Sequence, residues 1–246
     1  MPPSAPSLAA HLPLEQPPGA TPAPPAIPDY LQDVYWWAYL HPNGVRLFER
    51  QWLVNLILWG NFSRLRDAVL AEFGTAINQR ILQIACVYGD FTQRIAARLG
   101  AQGRLDVVDV APIQLANLRR KLPPDPRIHL HQQDASALHF ADASFDATLL
   151  FFLLHEQPAA VRRATLAEAL RVTRPGGKIV IVDYHKPSPG NPLRYLMTGV
   201  LKALEPFALD LWEQEIATYL PTDSALVALA KSTSFGGLYQ KVVISL

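Results

Sequence analysis

Cysteine and charge are both scarce in this 246-residue chain: Cys86 is the single cysteine, and Asp, Glu, Lys and Arg together make up 17%. One thiol excludes a disulfide framework and a cysteine-based zinc site, and it fits a reducing, cytoplasmic setting. Lys and Arg number 22 against 21 Asp and Glu, so the chain has no basic field of the kind that grips nucleic acid. Long apolar runs are missing as well. The longest, Ala147–Leu154, contains Thr148 and falls far short of the ~20 residues that span a bilayer. The first 28 residues lack both the basic-then-apolar order of a signal peptide and the arginines of a presequence. They hold 10 of the 22 prolines and one charged residue, Glu15, and are expected to form a disordered tail.

What remains is unusually apolar. Half the residues are hydrophobic, enough for one domain over 29–246 with a sizeable core. Over 29–74 the period is helical: Val45, Phe48, Trp52, Leu56 and Trp59 share one stripe, and Phe62, Leu65, Val69 and Phe73 continue it beyond Gly60. Four of the five tryptophans precede residue 60, so this N-terminal layer either packs on a sheet or offers aromatic surface to a lipid-like substrate or a bilayer interface.

From residue 75 to 184 strands and helices alternate. Strands are expected over Arg80–Val87, Gly103–Val110, Arg127–Gln133, Phe145–Leu154 and Lys178–Asp183. The helices between them cover Phe91–Leu99, Pro112–Lys121 and Ala159–Arg171, with a turn at Pro175-Gly176-Gly177 and a late strand at Leu238–Ile244. This is an α/β, Rossmann-like pattern: a mostly parallel sheet with helices on both faces. The stretch 185–222 interrupts it with five prolines and apolar, partly aromatic segments, and is read as a substrate lid.

Ligands of such sheets bind beyond the carboxyl ends of the strands. The first strand leads into Gln83, Ala85, Cys86, Val87, Tyr88 and Gly89, and the second ends at Asp109-Val110. Asp109 follows Gly89 by twenty residues, the interval at which a carboxylate meets a ribose diol. Asp134-Ala135 after the third strand would accept from an adenine amino group. Tyr184 and His185 after the fifth strand are candidates for holding a carbonyl and moving a proton, as is His155 after the fourth. Glu156 beside it lines the cleft or caps a helix. His129 and His131 share one strand face, and Cys86 is expected to be a buried, inert thiol.

The first-strand loop, Asp109, Gln133-Asp134-Ala135, Phe145-Asp146 and Arg174-Pro175-Gly176-Gly177, in that order, resemble the class I S-adenosylmethionine-dependent methyltransferases over residues 75–185. The chain departs from them at Gln83, where an acidic residue is usual, and at Ala85 and Val87, where glycines are usual. Val87, being β-branched, is not expected at positive φ. A narrower resemblance covers most of 29–246. Phe48–Asn61, Ala85–Asp90, Leu153–Pro158, Val182–Pro187 and Glu205–Trp212 look like the RquA family of rhodoquinone biosynthesis proteins.

That resemblance implies conversion of ubiquinone to rhodoquinone, a ring methoxy group being exchanged for an amino group. It further implies S-adenosylmethionine as amino donor, a divalent metal, manganese, and a protein held at the inner membrane where its substrate lies. Asp109, Asp134 and His155 at strand ends on one rim are the candidate ligands, and oxygen-rich ligands suit manganese. A neutral Gln83 would then leave the donor amine less biased towards its ammonium form, so restoring Asp at 83 is expected to depress amination. A conventional quinone or lipid methyltransferase and a non-catalytic binding module of the same fold are the alternatives. A nicotinamide dehydrogenase is disfavoured, because Gly89 alone cannot supply a multi-glycine pyrophosphate turn.

Overall fold

The structure, a computed structural model, describes residues 24–222 and 227–246; most of the expected disordered tail therefore lies outside the described residues. Five parallel strands form the body of one sheet: β1 (Arg80–Ile84), β2 (Arg104–Asp109), β3 (Ile128–Gln132), β4 (Phe145–Phe151) and β5 (Thr173–Tyr184). Two antiparallel strands, β6 (Ala228–Ser234) and β7 (Tyr239–Ser245), complete it in the spatial order β3-β2-β1-β4-β5-β7-β6. β1 and β4 are neighbours although β2 and β3 intervene in sequence. At that reversal of winding a crevice opens beyond the strands' carboxyl ends.

The central strands are apolar because both faces are covered. α4 (Phe62–Leu70) and α5 (Phe91–Ala96) pack through Phe62 and Phe91 onto Phe151 of β4, with ring centroids 6.0 and 4.4 Å away. On the opposite face α7 (Ala159–Val172) buries Leu166, Ala169 and Val172 against Ile179 and Ile181 of β5. α6 (Pro112–Lys121) begins at the proline expected in its first turn.

Four features differ from the sequence expectations. β6 was not foreseen, because Ala228–Ser234 is exposed almost throughout and carries no apolar alternation; as an edge strand with Lys231 it needs none. β5 starts before the expected turn. Pro175-Gly176-Gly177 is an irregularity within the ladder, with Gly176 at φ +76° and a register shift between Phe145 and Ala147 of β4. The single N-terminal stripe is broken into α1 (Asp29–Asp33), a π-helical turn at Trp36–Leu40, α2 (Pro42–Phe48) and α3 (Gln51–Ile57). Gly44 lets α2 pack on the π-helical turn, since a Cβ there would lie 1.8 Å from the Trp37 carbonyl oxygen.

The fourth concerns the expected lid over 185–222, which folds as α8 (Leu193–Leu204), α9 (Asp210–Glu213) and a 3₁₀ turn at Ile216–Tyr219. Fully buried Arg162 anchors it: Nη2 donates to the Phe207 carbonyl at 3.0 Å, Nε donates to Leu154 at 2.8 Å, and the guanidinium lies 4.7 Å over the Tyr219 ring. Of this segment only Glu205 reaches the cavity described next. The N-terminal layer is the roof.

Candidate active site

A cavity of about 190 Å³ lies between the carboxyl ends of β1, β2 and β4 and the N-terminal helices. The loop after β1 contributes Ala85, Cys86, Val87 and Tyr88, β2 contributes Asp109 and Val110, and Asp134 and Ala135 follow β3. Phe152, His155, Glu156, Tyr184 and Glu205 line the remainder, under a roof that includes Tyr30, Trp37, Tyr39, Val54 and Leu58.

Asp109 holds the first loop in shape. Its Oδ2 accepts the Cys86 N–H and its Oδ1 the Ala111 N–H, both at 2.8 Å. Each oxygen keeps a second lone pair. Burial pushes this carboxyl's pKa up, and the amide hydrogen bonds only partly offset that. The loop meets its need for a left-handed residue at Ala85 (φ +71°) and Gly89 (φ +77°), and Val87 stays out of that region. A non-glycine residue there costs about 1 kcal/mol. Tyr88 spans loop and roof: its hydroxyl donates to the Ala38 carbonyl at 2.6 Å and accepts from Gln114 Nε2 at 2.7 Å, and its ring stacks on Tyr39. Burial and the Asp109 charge push the Cys86 thiol well up, so it is a protonated, unreactive wall residue.

Three expected contacts lie off the cavity wall. Gln83 is fully buried within β1; its Nε2 donates to the Ala85 carbonyl at 2.9 Å and its Oε1 accepts from Thr92 Oγ1 at 3.0 Å. Gly89 faces Gln51 and Phe62, where a Cβ would come within 2.7 Å of Gln51 Oε1. His185 points to the opposite side, because successive strand residues alternate. Its Nδ1 lies 2.8 Å from the Gly237 carbonyl and its Nε2 3.3 Å from Lys231 Nζ.

The far end of the cavity holds a cluster of ionisable groups that the sequence reading met only in part. His155 Nδ1 lies 2.9 Å from Oδ1 of fully buried Asp183. Asp183 Oδ2 accepts the Leu154 N–H at 2.8 Å, and its Oδ1 accepts the Tyr184 N–H at 2.7 Å. His155 Nε2 is 3.8 Å from Glu156 Oε1, which also accepts a hydrogen bond from the Tyr39 hydroxyl. Tyr184 meets the imidazole edge-on, 4.9 Å between ring centroids. Glu205 adds a buried carboxyl oxygen, Oε2, without a hydrogen-bond partner among the described residues.

Burial opposes a charged His155, but the Asp183 carboxylate, then Glu205 and Glu156, outweigh it and lift the imidazole to about 9. Burial first, and Glu205 second, hold Glu156 well above the usual carboxylate range, against the pull of His155. Burial likewise raises Tyr39 and Tyr184, which stay neutral donors.

These shifts make stability depend on pH. His155 binds its proton more tightly folded than unfolded, so its contribution is complete below about pH 6.5 and is lost as pH rises through about 9. At roughly 1.4 kcal/mol per unit, up to about 3 kcal/mol is at stake. Glu156 acts in the same direction from lower pH. The melting temperature of the wild-type chain is expected to fall between pH 6.5 and 9 more steeply than that of His155→Gln; parallel curves would contradict the pairing with Asp183.

The expected manganese carboxylates are not gathered into a metal site. Asp109 accepts one backbone amide on each oxygen, and Asp134 Oδ1 accepts from the backbone N–H and hydroxyl of Ser136 at 2.8 and 2.7 Å. His131 is 2.7 Å from Asp106, which also binds Arg80, whereas His129 is exposed. Among the described residues no group of three His, Cys, Asp or Glu side chains has ligating geometry.

Comparison with known proteins agrees with the architecture. A family model described as a methyltransferase domain matches residues 81–177. The chain is 32% identical over 199 residues to the demethylmenaquinone methyltransferase of Beutenbergia cavernae, covering 76% of this chain and 78% of that protein. It is 31% identical over 145 residues to the ubiquinone/menaquinone biosynthesis C-methyltransferase UbiE of Ectopseudomonas mendocina, covering 57% of this chain and 55% of that protein. Several of the relatives it matches are spanned over little more than half their length. The crystal structure of the N-methyltransferase NodS from Bradyrhizobium japonicum superimposes with a TM-score of 0.51 at 16% identity, over 74% of this chain and 92% of that one, a likeness of fold. The chain belongs to the class I S-adenosylmethionine-dependent methyltransferase family, among relatives that act in quinone biosynthesis.

Proposed function

We propose that this chain transfers a group to the ring of a lipid-tailed quinone, with S-adenosylmethionine and the quinone head sharing the one cavity. The observation that carries the reading is the cavity's polarity. A carboxylate with free lone pairs stands at the β2 end, and a buried His155–Asp183 pair with Glu156 and Tyr39 stands at the other.

The β2 end suits a nucleoside. Asp109 would receive both ribose hydroxyls, and Ala135 and Cys86 leave room for flat, apolar faces. Bound there, S-adenosylmethionine supplies an electrophilic methyl group on sulfur. Opposite it, the Tyr184 phenol donates to a ring oxygen of the reduced quinol, while Tyr39 donates to Glu156. The quinol's electron-rich ring carbon would take the methyl and lose its own hydrogen as a proton, and the Glu156–His155 pair exchanges a proton at the ring oxygen. A carboxyl raised into this range exchanges its proton near neutral pH, as an ordinary carboxylate does not. The apolar roof excludes water from the transfer.

Methyl transfer to the ring is the reading that the relatives' activities support. Exchange of a methoxy group for an amino group, with ubiquinone as substrate, is a second reading supported by Gln83. A neutral, hydrogen-bonded side chain stands where a carboxylate would bias the donor's amine towards its ammonium form. Because Gln83 is off the wall, it would act through its missing charge. Gln83→Glu is therefore expected to slow amination severalfold while leaving methyl transfer unaffected.

The test is incubation of the chain with S-adenosylmethionine and, separately, ubiquinone and chemically reduced demethylmenaquinone, followed by mass analysis of the quinone. A gained methyl group supports the first reading and a methoxy-to-amino exchange the second. Unmodified quinone in both reactions contradicts both readings.

A further inference from the structure

α3 and α8 each bury one side and leave the other apolar and bare. On α3 and the turn after it, Trp52, Leu56 and Trp59 recur at four and three residues and are all exposed, Leu56 to 63%. On α8, Leu196, Val200 and Leu204 recur at four residues beside Tyr195, which is 79% exposed. The two stripes adjoin, because Trp59 Nε1 lies 3.3 Å from Met197 Sδ and Val54, Leu58, Met197 and Leu201 share one core cluster. A contiguous apolar face of this size is unusual on a folded chain that meets only water.

The face adjoins the cavity. Ile57 lines the cavity and is also 40% exposed, so the chamber opens beside α3. Basic side chains flank the face. Arg50 precedes α3 and Lys202 lies on α8; both are exposed, and neither side chain has an ion pair or hydrogen bond among the described residues. Neither α3 nor α8 contains Asp or Glu. Glu49, nearby, is already engaged by Lys121 Nζ at 2.7 Å, and Glu205, half-buried, lines the chamber. A second copy of the same face would bring cations against cations. Tryptophan and tyrosine over a leucine stripe, with unpaired cations at its edge, match an anionic headgroup layer instead.

We propose that the exposed faces of α3 and α8 form one docking surface that seats this chain on an anionic phospholipid bilayer, with the cavity mouth at the interface. The inference deepens the quinone reading and rests on it. A substrate whose tail stays in the bilayer enters head first past Ile57, and the tail never has to cross water.

The experiment is co-sedimentation of the full chain with phosphatidylethanolamine vesicles containing or lacking phosphatidylglycerol, without quinone or S-adenosylmethionine. Binding is expected to require phosphatidylglycerol, to weaken with salt, and to fall about tenfold or more in Leu56→Glu/Leu196→Glu. If that variant melts early, Arg50→Glu/Lys202→Glu on the surface carries the test, with the same loss expected. Quenching of tryptophan fluorescence by brominated lipid is the independent readout. A chain that stays in the supernatant with both vesicle types would overturn the proposal, as would binding that neither variant weakens. So would a dimer that Leu56→Glu/Leu196→Glu dissociates in the absence of vesicle binding. Vesicle binding without quinone turnover would sink the function proposed above and leave the docking surface standing.

Discussion

Asp109→Ala is expected to weaken S-adenosylmethionine binding by about 100-fold or more in a calorimetric titration. Two losses combine. The substitution removes the acceptor proposed for the ribose hydroxyls, and charge-assisted hydrogen bonds contribute about 1.5–3 kcal/mol each. It also strands the Cys86 and Ala111 N–H groups that the carboxylate now satisfies, each at 2.8 Å. An unsatisfied buried donor costs about 1–3 kcal/mol, so the loop is expected to loosen even without ligand. Because that loop also carries Tyr88, whose hydroxyl donates to Ala38, loosening should spread into the roof. The accompanying drop in melting temperature is expected to be several degrees. Asp109→Asn, which keeps one oxygen, should fall between wild type and Ala. Undiminished binding in the Ala variant would remove Asp109 from the site.

The second large effect is on turnover. His155→Gln is expected to lower quinone turnover by about 100-fold or more while leaving S-adenosylmethionine affinity within a fewfold of wild type. The imidazole stands at the end of the cavity away from Asp109, so cofactor binding should not register its loss. Asp183 acts through the histidine, 2.9 Å from its Nδ1, and through three backbone amides. Asp183→Asn should therefore shift the alkaline limb of the turnover–pH profile to lower pH, since it withdraws the main charge that lifts His155 to about 9. A profile unmoved by that change, with turnover merely scaled down, would leave Asp183 a structural residue only.

Much of this arrangement was legible before any coordinates. The five parallel strands and the rim positions 85–88, 109–110 and 134–135 follow from apolar runs, helical spacings and the rule that ligands sit beyond strand ends; the strand order does not. His155 and Tyr184 were legible for the same reason. Gln83 and His185 were not correctly placed. One lies inside a strand whose two faces are both buried, so alternation gave no signal; the other falls one residue past Tyr184, where alternation turns it away from the cavity.

The contacts that were missed are long-range. Tyr39 reaches Glu156 across 117 positions, and Glu205 arrives from the proline-rich insertion at 185–222. No local period encodes either. Asp183 could have been singled out, because a carboxylate among the buried residues of a central strand has to meet partners at the strand end. The first loop is the instructive case. A missing glycine at 87 suggested a differently shaped turn, and the structure absorbs it by placing the left-handed residue at Ala85 while Tyr88 becomes the tie to the roof.

A crystal structure of the chain with S-adenosylhomocysteine tests the central assignment most directly. The expected result has the ribose hydroxyls on the Asp109 carboxylate, the adenine against Asp134 and Ala135, and the sulfur turned towards His155 and Glu156. A nucleoside bound anywhere else on the sheet, or a sulfur facing away from that chamber, would contradict it.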